Sequence, residues 1–156
     1  MKPIIFSTEN VKAILAGTKT QTRRVYKEGK SKNSAMYEVG DKLWVKETFA
    51  NISKDTDDYL YKALPMFDDC KKADISWKWK SPMFMPREAA RIFLKVKSVW
   101  IERLQDISQA DTQKEGVNYY IFPDYWDKIN GKRPGCSWAD NPLVRVIEFE
   151  KCGGGN

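Results

Sequence analysis

Read as a pattern of apolar and polar positions, the chain is mostly short β-like runs, with two short helices set among them. Pro3–Phe6 is a compact apolar run, a first strand. It leads into an amphipathic helix over Thr8–Ala16, with Val11, Ile14 and Leu15 on one face. Ser7 is the expected N-cap of that helix. Gly17 is its expected stop, glycine being the residue best able to turn left-handed after a last helical turn. Val25 and Tyr26 carry a β-prone stretch onward from Arg24. Gly40-Asp41 marks a turn before a strand over Lys42–Phe49, where Leu43, Val45 and Glu47 alternate with Trp44, Lys46 and Thr48. Ile92–Leu104 is the longest alternating run, and Leu143–Lys151 is the closing strand. A second helix, Gln109–Glu115, begins at Ser108 as N-cap with Asp111 in the capping-box position and stops at Gly116. Five or six short strands with two or three short helices predict an α+β protein built on a small, mainly antiparallel β-barrel.

Between these elements the pattern weakens. Lys27–Asn33 reads as a polar, lysine-rich loop. Ala50–Lys80, with Asp55, Asp57, Asp58, Asp68 and Asp69, reads as an acidic excursion from the barrel, with Tyr59–Leu64 as a candidate strand. Trp77-Lys78-Trp79-Lys80 alternates rings and cations, as an amphipathic edge would. Arg87–Arg91, after Pro86, is a candidate helical turn, and Tyr119–Trp138 is an aromatic segment broken by Asn130-Gly131 and Pro134-Gly135. Residues 1–152 are expected to form one domain, followed by a disordered tail at 153–156.

Composition narrows the function. The 156 residues carry a net charge of +6 and 13% aromatic side chains, a pairing that suits phosphates and stacked bases. There is no histidine, which excludes Ser-His-Asp and Cys-His catalysis and most catalytic zinc sites. Cys70, Cys136 and Cys152 are few and far apart, as expected in a reducing cytoplasm, without metal or redox spacing. No apolar run is long enough to span a membrane. The expectations are a cytoplasmic protein with no metal, no cofactor and no membrane partner.

Candidate chemistry gathers at Gly17-Thr18-Lys19-Thr20-Gln21-Thr22-Arg23-Arg24. Residues 19–24 hold three cations and three hydroxyl or amide side chains, with no acid. Burial would desolvate those charges, so the stretch is expected at the rim of a site for an anionic, hydrogen-bonding ligand. Arg23 and Arg24 are the candidate anion contacts, since arginine keeps its proton. Tyr26, Trp44 and Trp126 are candidate stacking rings, and Glu47 is an acid on an otherwise apolar strand face.

The stretch Gly17-x-Lys19-x-x-Thr22-x-Arg24, the Val39-Gly40-Asp41 turn and the closing strand Val144–Phe149 resemble the ASCH family of the PUA-like superfamily. The wider text, including Phe6–Glu9, Leu43–Phe49 and Leu104–Ser108, is similar to a longer subgroup found in phage and prophage genomes. The resemblance implies a PUA-like barrel, RNA or a modified nucleoside as partner, and a bacterial cell as setting. Some family members are amidohydrolases that remove the acyl group from N4-acetylcytidine through a threonine, a lysine and a glutamate. Others are linked to ribonuclease activity or to RNA binding alone. By motif position the lysine is Lys19 and the threonine Thr22; by spacing from Ile107-Ser108 the glutamate is Glu115. Gly17, Arg23, Arg24, Tyr26, Trp44 and Glu47 are then the candidate ligand contacts.

Overall fold

The computed structural model describes residues 1–28, 36–68 and 77–154. Of the expectations above, the Lys27–Asn33 loop beyond Glu28, Cys70 with its part of the excursion, and the last two residues of the tail lie outside them.

Five strands form one sheet. β1 (Lys2–Ile5) runs parallel to β3 (Lys42–Lys46), and every other pairing is antiparallel. The strand order is β1-β3-β6-β7-β2, with β2 over Gln21–Val25, β6 over Phe93–Arg103 and β7 over Leu143–Cys152. The register of β6 against β7 slips between Val96 and Ser98, and such a bulge bends a long strand. No ladder joins the outer strands β1 and β2. Yet an Arg24 guanidinium N–H donates to the Ile5 carbonyl at 2.6 Å, so the two edges stand one side chain apart. The sheet is thus curled into a barrel with an open seam.

Helix α1 (Thr8–Ala16) lies as expected, with the Asn10 N–H donating to the Ser7 hydroxyl at 3.3 Å and Gly17 left-handed at φ 81°. Its Val11 and Ile14 pack on Leu43, Val45, Leu94 and Ile147, the first core. Alternation along β7 sends Val144 and Val146 to the other face, into a second core with Leu104, Phe122 and Trp126. That core is roofed by α3 (Phe122–Asn130), a helix within what the sequence shows only as an aromatic segment. Helix α2 spans Gln109–Lys114, with Glu115 as its last, capping residue.

The strand expected over Lys42–Phe49 is two elements. The chain leaves the sheet after Lys46, and Phe49 opens a separate ladder, β4 (Phe49–Asn51) against β5 (Tyr59–Tyr61). The break falls at Glu47, whose buried carboxylate is held by Arg91 through paired bonds of 2.8 and 2.9 Å. The described part of the excursion therefore carries most of this small ladder, and its Tyr59 and Tyr61 pack on an apolar cluster of Phe49, Met85 and Ala89 that flank it.

Candidate functional site

The turn that ends α1 delivers Lys19 to the protein interior. The Thr18 and Lys19 N–H groups both close on the Ala13 carbonyl, at 3.0 and 3.1 Å. Lys19 then forms an isolated antiparallel bridge with Glu115, and the Thr20 N–H donates to the Lys114 carbonyl at 2.7 Å. Both side chains of the bridge are buried. Lys19 Nζ donates to Glu115 Oε2 at 2.7 Å and to the Glu115 carbonyl at 3.1 Å. The other carboxylate oxygen, Oε1, accepts from Arg23 Nη1 at 3.1 Å.

Arg23 extends this pair into a network. Its Nε and Nη2 donate to Glu102 Oε1 at 3.2 and 2.9 Å, Nη1 donates to Gln21 Oε1 at 3.2 Å, and Nη2 lies 3.5 Å from Asp111 Oδ2. Gln21 in turn donates to Glu148 at 2.8 Å. The expectation that residues 19–24 could not be buried is therefore corrected: Lys19, Gln21, Thr22 and Arg23 are all inside. Burial is tolerable because α2 with its cap Glu115, and β6, supply carboxylates to Lys19 and Arg23, while Glu148 of β7 accepts from Gln21. A paired, hydrogen-bonded charge escapes most of the desolvation penalty. Among the described residues, no buried side-chain nitrogen or oxygen lacks a partner.

Burial holds the Lys19 amine below the ordinary lysine pKa. Glu115 opposes that shift, and the nearby Arg24 and Arg23 charges reinforce it. Such an amine is closer to giving up its proton than a surface lysine is.

Thr22 stands on the other face of β2. It pairs with Ile147, whereas Arg23 pairs with Val146 in the second core. The residue is 4% exposed, and its hydroxyl has no hydrogen-bond partner among the described residues. Since sealed oxygens all have partners, that hydroxyl opens onto accessible space. The structure brings Lys19 and Glu115 together and leaves Thr22 without a hydrogen bond to either.

Arg24, two positions beyond Thr22 and on the same face of β2, borders a cavity of about 410 Å³ along the open seam. Ile5 of β1, Tyr26, Tyr37, Lys46, Arg145 and Ile147 are among the residues that line it. The Arg24 guanidinium lies 5.3 Å over the Phe6 ring and forms no ion pair among the described residues. Of the expected ligand contacts, Arg24 and Tyr26 meet in this cleft. Gly17 caps α1, Arg23 belongs to the buried network, and Glu47 is taken by Arg91. Trp44 is 9% exposed beneath the Lys46 ammonium, and Trp126 donates its indole N–H to the Cys136 carbonyl in the second core. Sequence reasoning does not single out Tyr37, Lys46 or Arg145; the one available signal is Arg145, a lone cation among apolar residues of the closing strand. Among the described residues, no group of three or more Cys, Asp or Glu could hold a metal ion, and no helix is long and apolar enough to cross a membrane.

No family model matches the chain, and no curated protein matches it in sequence. Solved structures do. An ASCH domain from Lactobacillus crispatus superposes with a TM-score of 0.52 at 12% identity, covering 92% of this chain and 70% of that one. A protein of Enterococcus faecalis labelled with the family model DUF984 superposes with a TM-score of 0.54 at 12% identity, covering 100% of this chain and 85% of the other. The chain thus has the small α+β fold of the ASCH domain, as the resemblance implied.

Proposed function

We propose that this chain binds RNA or a modified nucleoside in the cleft along the barrel seam. The observation that carries the reading is Arg24, a guanidinium from the signature stretch that lines a concave cleft beside Tyr26 without an ion-pair partner among the described residues. An anion arriving there has no internal salt bridge to displace, and the tyrosine offers a ring to a base. Arg23 cannot share this task, because its side chain is fully buried against Glu102 and Glu115.

Arg24→Ala is the variant that tests the reading, with a labelled single-stranded RNA titrated at several salt concentrations. Affinity is expected to fall, and the slope of log K against log salt to flatten by about 0.7 for each phosphate that the variant no longer neutralises. Unchanged affinity and slope would mean that the cleft is not the binding site.

A second reading, hydrolysis of an N4-acylated cytidine, is favoured by the Lys19–Glu115 pair at 2.7 Å together with the unpartnered Thr22 hydroxyl. In that reaction the Thr22 oxygen attacks the amide carbonyl. Lys19 takes the hydroxyl proton, with Glu115 holding or relaying it. The bond from the carbonyl carbon to N4 then breaks, and that proton leaves on the departing cytidine amine. Water cleaves the acyl-threonine ester to give the carboxylic acid and restore the hydroxyl. Acetate release from N4-acetylcytidine is the assay. Lys19→Arg should be as inactive as Lys19→Ala, because a guanidinium keeps its proton. Release by Lys19→Arg at the parent's rate, or none by the parent, leaves the binding reading alone.

A further inference from the structure

We infer that the seam cleft is built to take a phosphomonoester, so that its ligand is a nucleotide bearing a terminal phosphate rather than an uncharged nucleoside. The inference rests on the reading of the cleft as a nucleoside or RNA site and adds the chemical class of the ligand.

Arg24 and Arg145 are direct cross-strand partners in the β2–β7 ladder, and both border the cleft. Like charges placed opposite one another on a sheet repel. Elsewhere the chain relieves such repulsion with carboxylates, as Lys19, Arg23 and Arg91 show. Here it supplies none: neither arginine has an ion pair among the described residues. Lys46 adds a third cation from the other side of the seam. It is the register partner of Ile5, the residue whose carbonyl holds Arg24.

What holds these three groups orients them without neutralising them. Arg24 lies over Phe6, Arg145 lies 5.2 Å over the Tyr26 ring, and Lys46 lies 5.4 Å over Trp44 while donating to the Met83 carbonyl at 2.8 Å. Rings and carbonyls leave most of the guanidinium N–H donors unspent. A neutral nucleoside would leave the repulsion standing, and a phosphodiester brings one negative charge. A phosphomonoester brings about −1.5 to −2 at neutral pH, with three acceptor oxygens, and is the better match to three cations. The cavity, about 410 Å³, lies at the lower end of small-ligand pockets and suits one nucleotide unit.

The test is calorimetric and uses two ligand pairs on the whole protein: cytidine 5′-monophosphate against cytidine, and a short RNA with a 5′-phosphate against the same RNA with a 5′-hydroxyl. A phosphate preference of about tenfold or more is expected, as for charge-assisted hydrogen bonds. Preference within the first pair makes the ligand a free mononucleotide; preference only in the second makes it an RNA end. Arg145→Gln and, independently, the half-buried Lys46→Gln should each bring the ratio toward one, with folding checked by thermal denaturation. No preference in either pair overturns the inference, even where both members bind and the cleft reading stands. A preference that survives both substitutions also overturns it. If nothing binds, the reading beneath it fails too.

Discussion

At the scale of single residues, the decisive arrangement is one carboxylate shared by two buried cations. Glu115 meets Lys19 with one oxygen and Arg23 with the other; Arg23 also has Glu102 and Asp111, whereas Glu115 is the one carboxylate paired with Lys19 among the described residues. Glu115→Ala should therefore cost about 3–5 kcal/mol in urea denaturation, the usual penalty for stranding a buried charge. A loss below about 1 kcal/mol, the range of exposed pairs, would show the cations to be solvated. Lys19 makes a separate pH prediction. Burial lowers its pKa in the folded protein, so between that value and the ordinary lysine value of about 10.4 the unfolded chain binds more protons. Stability should then rise with pH across that window in the parent, and the rise should be missing in Lys19→Met. Equal slopes for the two proteins would place the Lys19 pKa at the ordinary value.

At the scale of elements, alternation and caps reveal most of the fold, and fail where the partner is remote. β6 and β7 are legible because they alternate over ten residues or more, and α1 because Ser7 and Gly17 mark both ends. The burial of β2 is not legible. Its relief comes from Glu102, Glu115 and Glu148, which lie 79, 92 and 127 positions from the residues they hold, and local sequence does not announce such pairings. The Lys19–Glu115 pair is visible only through the family resemblance; the cleft's Arg145 and Lys46 depend on strand order, which one sequence does not disclose. Helix α3 escapes notice although Phe122, Tyr125 and Trp126 recur at helical spacing, because Asn130-Gly131 and Pro134-Gly135 make the segment read as broken. Its two faces differ enough to test. Trp126 is 3% exposed, so Trp126→Ala should cost about 3–5 kcal/mol, whereas Ile129, 55% exposed, should lose no more than about 0.5 kcal/mol as alanine. Similar losses at both positions would mean that α3 does not present this face to the core.

At the scale of the whole molecule, the curled sheet, its ladder and its helices are tied by phenols. Tyr37 donates to the Pro3 carbonyl of β1 at 2.8 Å, Tyr61 to the Ala89 carbonyl at 2.6 Å, and Tyr125 of α3 to the Asn10 side chain of α1 at 2.9 Å. Only the neutral phenol can donate. Burial raises all three pKa values; Glu47 adds to the rise at Tyr61 and Glu115 at Tyr125, while Arg24 opposes it at Tyr37. In the unfolded chain these groups ionise near a pH of about 10, and in the folded protein later. Their contribution is therefore complete below about pH 10 and is lost as pH climbs through the raised folded values. Lys19 acts in the opposite sense and only below the ordinary lysine value of about 10.4, so above that pH the phenols act without it. Urea midpoints measured from about pH 9 to about 11.5 should fall steeply above about 10. Tyr125→Phe should lose about 0.5–1.5 kcal/mol at about pH 8, the net worth of one hydrogen bond, and then fall less steeply than the parent. Comparing the two proteins at each pH cancels the lysine ion pairs they share. An alkaline loss in Tyr125→Phe as large as the parent's would show that the α1–α3 tie is not held by a buried, neutral phenol.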